Sequence, residues 1–378
     1  MRILFITNNM PPIVDGVGDY TFNLACEFAY HGHKVSVICH KNTKIKNDYK
    51  NIQLFSIVEK WNKNAVCPIL NIIKQNNIDI VLLQYVPHGF HKKGLPFGLI
   101  RIVKNIKLTG VKLFTFCHEV CIFNVNGSFK DTVLRMIMWQ ITRKIILQSD
   151  FIATSIAYYR TMIEKMLLKW KNIEIIPIAS NIPQVTISKD ELIKLRKQVA
   201  NGCDYVVGFL GNRDITTSLE ALQILINKRN IRIRILLIGN VKSEYKSSKL
   251  EIFRTGILEI SDIGKFLAIS SVLILPASNQ FGCSFKSGSL MAALQSGVPV
   301  ITGKGIFTDN SLCDGSNIIF ADFTNKYDIA RCISNLLGDT VLRKKLSDNA
   351  ISLVKNVSWQ STYLKYMKII NTNTYECR

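Results

Sequence analysis

Met1-Arg2-Ile3-Leu4-Phe5-Ile6-Thr7, then Pro11-Pro12-Ile13-Val14-Asp15-Gly16-Val17-Gly18-Asp19, then His31-Gly32-His33-Lys34-Val35-Ser36-Val37-Ile38-Cys39, is the stretch that decides the fold. The first and last segments are short β-branched and aromatic runs of the kind that form buried strands. Between them, Phe22, Leu24, Ala25, Phe28 and Ala29 recur at helical spacing over Asp19–His31, and Gly32 is a natural helix stop. Strand, loop, helix, glycine, strand is a βαβ unit, which implies a parallel sheet with right-handed crossovers.

Working outward, the rhythm continues. Strands are expected at 2–7, 34–39, 52–56, 79–84, 112–117, 150–154 and 173–177. It weakens over 181–203, where Asn181-Ile182-Pro183, a charged helical segment (Asp190–Gln198) and Asn201-Gly202 read as a linker. It then restarts with strands Val206–Leu210, Ile231–Ile238, Gly256–Leu258, Val272–Pro276, Val298–Thr302 and Ile318–Phe320. Helices are expected at Thr216–Asn227, Ser261–Ile269, Ser287–Ser296, Asn325–Leu337, Thr340–Val357 and Trp359–Ile370. The fold class is therefore α/β, with two Rossmann-like doubly wound domains. The first spans 1–184 and the second 203–357, the helix of 358–378 packs back on the first, and the cleft between them is the expected site.

The 378 residues are 48% apolar and 20% charged, which excludes global disorder. No apolar run reaches the ~18 residues that span a bilayer. The opening segment reads as a strand rather than a targeting signal, so a cytoplasmic protein is expected. The ten cysteines are scattered, with no Cys-x-x-Cys, and suit small core residues in a reducing compartment better than a metal site. Net charge is +21, and residues 91–171 hold fourteen Lys and Arg against four Asp and Glu. Such a stretch favours an anionic partner.

Four places carry candidate chemistry, all just past strands. Gly16 and Gly18 allow close backbone approach, and the helix starting at Asp19 offers N–H groups to an anion or a sugar oxygen. A plain connection is the alternative, and the missing third glycine argues against a dinucleotide. His118-Glu119 follows the strand at 112–117, where the imidazole can bond a sugar hydroxyl or phosphate and the carboxylate can take a proton or orient the ring. A satisfied surface pair is the alternative. Gly211-Asn212-Arg213 brings a permanent positive fork suited to phosphate oxygens. Gly282-Cys283-Ser284-Phe285-Lys286-Ser287-Gly288-Ser289 opens a small-residue helix, where the N–H groups of Ser287, Gly288 and Ser289, two hydroxyls and Lys286 form an anion seat. Its spacing is not that of a P-loop. Two phosphate-suited loops in one domain point to a diphosphate.

In this order the motifs resemble the large retaining glycosyltransferase family 4, of GT-B fold, over nearly the whole chain. The resemblance rests on Pro11-Pro12, Gly16-Val17-Gly18-Asp19-Tyr20, His31-Gly32-His33-Lys34-Val35, His118-Glu119, Ile176-Pro177-Ile178, Gly211-Asn212-Arg213, Thr255-Gly256-Ile257-Leu258 and Ser284 through Pro299. It implies an acceptor side in the first domain, with Gly16, Gly18, Asp19 and Glu119 in or beside it and His118 near the transferred sugar. It implies a nucleotide-diphosphate sugar in the second, with Arg213 and Lys286 on the diphosphate. Gly211, Asn212, Gly256, Gly282, Ser284, Ser287, Gly288 and Ser289 would line the donor. The chain departs from the family where many members carry two Glu, here Ser284 and Ala292, and a Lys, here Ser218. It instead resembles a variant without the paired Glu that has basic-Gly-Ser residues at the helix start.

The expected activity is retaining transfer of a hexosyl or N-acetylhexosaminyl group to a glycan or lipid-diphosphate-linked acceptor, in bacterial surface-polysaccharide or lipopolysaccharide synthesis. No cofactor or metal is expected, since Arg213 and Lys286 would neutralise the leaving diphosphate and no Asp-x-Asp motif appears in the loops. The basic 91–171 stretch, with amphipathic Val133–Leu147, would rest on the anionic inner face of the membrane. The alternatives are an inactive or regulatory GT-B protein, a nucleotide-sugar epimerase and, more distantly, a nucleic-acid binder. No helix-turn-helix, zinc or RNP-type signature supports the last, so no nucleic-acid partner is expected.

Overall fold

The opening segment forms β1 (Arg2–Ile6), whose residues Ile3 to Ile6 are buried. A strand covered on both faces by helices needs apolar residues at successive positions rather than alternate ones. In the computed structural model, which describes residues 1–43, 51–121, 128–167, 172–184, 187–228, 231–241 and 250–372, the chain divides into two units. One is Met1–Pro177 with the segment from Trp359, and the other is Ile178–Ser358. The parts of the basic stretch at 122–127 and 168–171, and the end of the last expected helix at 373–378, lie outside the described residues.

The first unit continues with α1 (Gly16–Tyr30), β2 (Lys34–His40), β3 (Ile52–Val58), α2 (Val66–Gln75), β4 (Ile80–Tyr85), α3 (Pro87–Phe90), α4 (Phe97–Leu108), β5 (Lys112–Cys117), α5 (Phe129–Ile146), β6 (Phe151–Thr154), α6 (Ala157–Met166) and β7 (Ile173–Ile175). The sheet is parallel, in the order β3-β2-β1-β4-β5-β6-β7. The order reverses between β1 and β4, so the loops after these strands flank the switch point where ligands bind in such sheets.

The second unit holds α7 (Lys189–Ala200), β8 (Tyr205–Leu210), α8 (Thr216–Lys228), β9 (Ile233–Ile238), β10 (Glu251–Arg254), α9 (Ile260–Ile269), β11 (Val272–Leu275), α10 (Gly288–Ser296), β12 (Val300–Thr302), β13 (Ile319–Phe320), α11 (Lys326–Gly338) and α12 (Thr340–Val354). Its parallel sheet runs β10-β9-β8-β11-β12-β13, with the reversal between β8 and β11. The last helix, α13 (Trp359–Thr372), belongs to the first unit. Tyr366 is fully buried there, stacks on Phe114 at 4.6 Å and meets the Tyr20 hydroxyl at 3.2 Å.

Two sequence expectations change. The helix expected over Asp190–Gln198 is present as α7, capped by a reciprocal Ser188–Glu191 box, but its Val199 and Ala200 are part of the second unit's core and not of a linker. The strand expected at Gly256–Leu258 is instead β10, at Glu251–Arg254. Gly256 lies past its end with φ +70°, and Ile257 is 88% exposed, so its apolar character marks a surface position and not a strand interior.

Candidate functional site

In the second unit, the loops after β8 and β11 and the start of α10 meet. Arg213 follows β8 through a tight turn in which its N–H bonds the Gly211 carbonyl at 3.0 Å. Its guanidinium donates to the Pro276 carbonyl, just past β11, at 2.9 Å and to Ser287 Oγ at 3.1 Å. Ser287 is the N-cap of α10, and its hydroxyl also accepts the Leu290 N–H at 3.3 Å. One side chain thus ties both strands of the switch point to a helix start. Gly211 adds to this closeness, since a Cβ there would stand 3.2 Å from Ser289 Oγ.

The anion seat differs in detail from expectation. The Ser287 N–H is taken by the Ser284 carbonyl at 2.9 Å. Gly288 and Ser289 supply the remaining first-turn N–H groups, which have no intrahelical acceptor. No acidic residue stands in that turn, so the helix end and Arg213 present positive potential together. The Lys286 ammonium lies over the Phe307 ring, 5.1 Å from its centre. Asn212 is exposed beside Arg213, and Gly256 lies past the end of β10, the neighbour of β9.

Gly282 has φ +70°, and a Cβ on it would collide with Thr308 Oγ1 and the Gly305 backbone. Its glycine is therefore explained by loop packing. The 303–309 loop was not singled out from sequence, although Gly303-Lys304-Gly305 directly after a strand is a signal of close backbone approach. It braces the seat from behind: Asp309 accepts the Phe285 N–H at 2.8 Å. Burial pushes the Asp309 carboxyl up to about 6, with that N–H opposing the shift.

In the first unit, the loop after β1 is ordered by a polar relay. Trp61 Nε1 donates to Asn8, Asn8 to Asn9, and Asn9 to Asp15, at 2.7, 3.1 and 2.9 Å. Asp15 is the N-cap of α1 and accepts the Val17 N–H at 3.1 Å. Gly16 is exposed, whereas Gly18 is buried, and a Cβ on it would lie 2.9 Å from the Asn9 carbonyl oxygen. Asp19 stands in the first turn, its carboxyl raised to about 6 by burial and then by Asp15. With two acids at this helix start, an anion is disfavoured and a hydroxyl-bearing partner suits it better.

His118 follows β5, its N–H bonded to the Tyr85 carbonyl at 2.9 Å. It is only 5% exposed. Its Nε2 lies within hydrogen-bond distance of Gln84 Oε1, at 2.9 Å. Tyr20 packs edge-on against the ring at 4.8 Å, and Trp359 packs on Tyr20 at 5.2 Å. The imidazole is thus a held, largely covered group, and Glu119 is half-buried beside it. Gln84 and Tyr20, fully buried on β4 and α1, were not singled out from sequence because nothing local marks a partner 34 or 98 positions away. Among the described residues, no three or more His, Cys, Asp or Glu gather as metal ligands. No helix among them is long and apolar enough to cross a membrane.

No protein-family model matches the chain, and no characterised protein matches it by sequence. Solved structures do. A sucrose-phosphate synthase from Thermosynechococcus elongatus aligns over 100% of both chains at 11% identity and TM-score 0.74. Anabaena HepE in complex with UDP-glucose aligns over 98% of this chain and 100% of that one, at 12% identity and TM-score 0.70. WaaG, a glycosyltransferase involved in lipopolysaccharide biosynthesis, aligns over 98% and 99%, at 15% identity and TM-score 0.65. Nucleotide-sugar epimerases of the same architecture also align, with lower scores. The chain is an α/β protein of GT-B fold.

Proposed function

We propose that the chain is a retaining glycosyltransferase of family 4. It moves a hexosyl or N-acetylhexosaminyl group from a nucleotide-diphosphate sugar to a glycan or lipid-diphosphate-linked acceptor. The observation that carries this reading is the Arg213 guanidinium, bonded across the ends of β8 and β11 and to the N-cap of α10. Breaking the anomeric C–O bond puts charge on the leaving diphosphate. A permanent cation and two helix-start N–H groups, held in place beforehand, stabilise that charge without a metal. Lys286, next to the N-cap, adds a second cation. The transferred sugar becomes oxocarbenium-like as its bond to the diphosphate breaks, the acceptor hydroxyl bonds its anomeric carbon from the same face, and the hydroxyl proton passes to the leaving phosphate oxygen, with His118 near the transferred sugar and Glu119 on the acceptor side. The fold likeness to WaaG, a glycosyltransferase involved in lipopolysaccharide biosynthesis, supports a role in bacterial surface-polysaccharide or lipopolysaccharide synthesis, which the reading places at the cytoplasmic face of the membrane.

One observation favours a second reading, a GT-B protein that binds donor without turning it over. Ser218, Ser284 and Ala292 stand where the resemblance places Lys and the paired Glu, and they are 1%, 2% and 1% exposed. The test is turnover of UDP-, GDP-, ADP- and dTDP-sugars with mixed glycan and lipid-linked acceptors. Transfer with retained anomeric configuration supports the first reading, donor binding without transfer the second. Sugar isomers released without acceptor would instead mark an epimerase.

A further inference from the structure

We propose that a cleft at the amino ends of the first unit's strands binds a small acidic sugar, a saccharide carrying one phosphate or carboxylate. The cleft is separate from the candidate sites above and does not depend on the donor assignment. Arg2 opens β1 and Lys34 opens β2, side by side in register, and Ser36 lies in register with Gln53 of β3. Neighbours in register share a face of the sheet. With Asn51, just before β3, these side chains line a cleft of about 590 Å³ that the end of α1 borders at Gly32. That volume is within the range of small-molecule sites. A Cβ on Gly32 would meet nothing within 4 Å, so the space there is open. The loop after β1 is at the other end of the strand, roughly 17 Å away at about 3.3 Å per residue.

Packing alone does not explain Ser36. Its strand neighbours Val35, Val37, Ile38 and Cys39 are apolar and buried, and Ser36 is itself only 6% exposed. Its hydroxyl, the Asn51 and Gln53 amides and the Lys34 ammonium have no side-chain hydrogen bond or ion pair among the described residues. A buried hydroxyl without a partner costs free energy that a bound oxygen recovers. Arg2, by contrast, is held by Asp79 at 2.6 Å, so Lys34 is the cation left to a ligand. Among the described residues no carboxylate lines the cleft, and its charge therefore selects an anion. One hydroxyl and two amides around one ammonium match the hydroxyls of a saccharide and a single charged group on it. No Phe, Tyr or Trp lines the cleft to stack a base, which disfavours a nucleotide.

The experiment is calorimetric titration of the full chain with glucose 6-phosphate, glucuronate, glucose and inorganic phosphate. At least one of the two acidic sugars should bind, and which one does fixes the anionic group. Glucose, which lacks the charge, and inorganic phosphate, which lacks the sugar, should bind at least tenfold more weakly. Lys34→Glu should weaken the acidic sugar at least tenfold, and Lys34→Arg should keep most of the affinity. Ser36→Ala should lower it about fivefold. Lys34 is exposed, so its variants should keep the wild-type Tm. Arg213→Ala should bind the acidic sugar as wild type does, and Lys34→Glu should bind nucleotide sugar as wild type does, so a failure here leaves the donor reading intact. The proposal is overturned if neither acidic sugar binds, if glucose or inorganic phosphate binds as tightly, or if Lys34→Glu leaves the affinity unchanged. Loss of binding in Arg213→Ala alone would put the acidic sugar on the second unit's anion seat and overturn it too.

Discussion

Arg213 ties together the candidate site of the second unit, since one guanidinium holds the Pro276 carbonyl and the Ser287 hydroxyl. Arg213→Ala should lower turnover about 100-fold or more, the usual scale for a lost charge stabiliser. Arg213→Lys should not restore it, because an ammonium cannot bridge two acceptors as a planar fork does. Steady-state kinetics on variants with wild-type Tm checks both. His118→Ala should reduce transfer more than donor affinity, and intact transfer would count against placing His118 near the transferred sugar. Acid titration tests Asp19 and Asp309, both raised to about 6. Each folded carboxyl holds its proton more tightly than the unfolded one, so their stabilising effect is complete below about pH 4 and is lost as pH rises through 6. Urea midpoints should therefore fall across that interval. Asp309→Asn should flatten the part of the fall that belongs to the second unit.

At the scale of the element, α13 and the first loop matter most to the first unit. Tyr366→Phe removes one of two hydroxyls that face each other in a buried setting and should cost about 1 kcal/mol. Tyr366→Ala, which also leaves a cavity beside Phe114, should cost about 3–5 kcal/mol. Denaturant titration separates the two. Gly18→Ala pushes a methyl against the Asn9 carbonyl and should cost about 1–3 kcal/mol, with the loop after β1 displaced. Elements of this kind were legible in the sequence. Buried parallel strands read as continuous apolar runs, so all seven strands of the first sheet fall where the pattern places them. The pattern misplaced β10 because Ile257 and Leu258 look like strand residues, although only tertiary context shows Ile257 exposed. It read α7 as part of a linker because a charged helix reveals its partner only when the core closes over Val199 and Ala200.

Across the whole molecule, each unit's candidate site was half legible. The loop positions of Gly18 and His118 in the first unit, and of Arg213 and Ser287 in the second, followed from strand ends, because strand order in an α/β sheet sends the loops that bind ligands to one edge. Their partners did not. Arg213 reaches Ser287 across 74 positions, and His118 is held by Gln84 and Tyr20 through contacts that local pattern does not encode. The net charge of +21 was legible in the sequence, but only the structure shows that Lys107 is paired to Asp150. The most direct measurement is calorimetric titration of wild type and Arg213→Ala with the UDP-, GDP-, ADP- and dTDP-sugar panel. One nucleotide sugar should bind wild type one-to-one, and the variant, folded and with unchanged Tm, should bind it at least tenfold more weakly. Equal affinity in the two proteins, or no binding of any of them by wild type, would contradict a diphosphate held at Arg213.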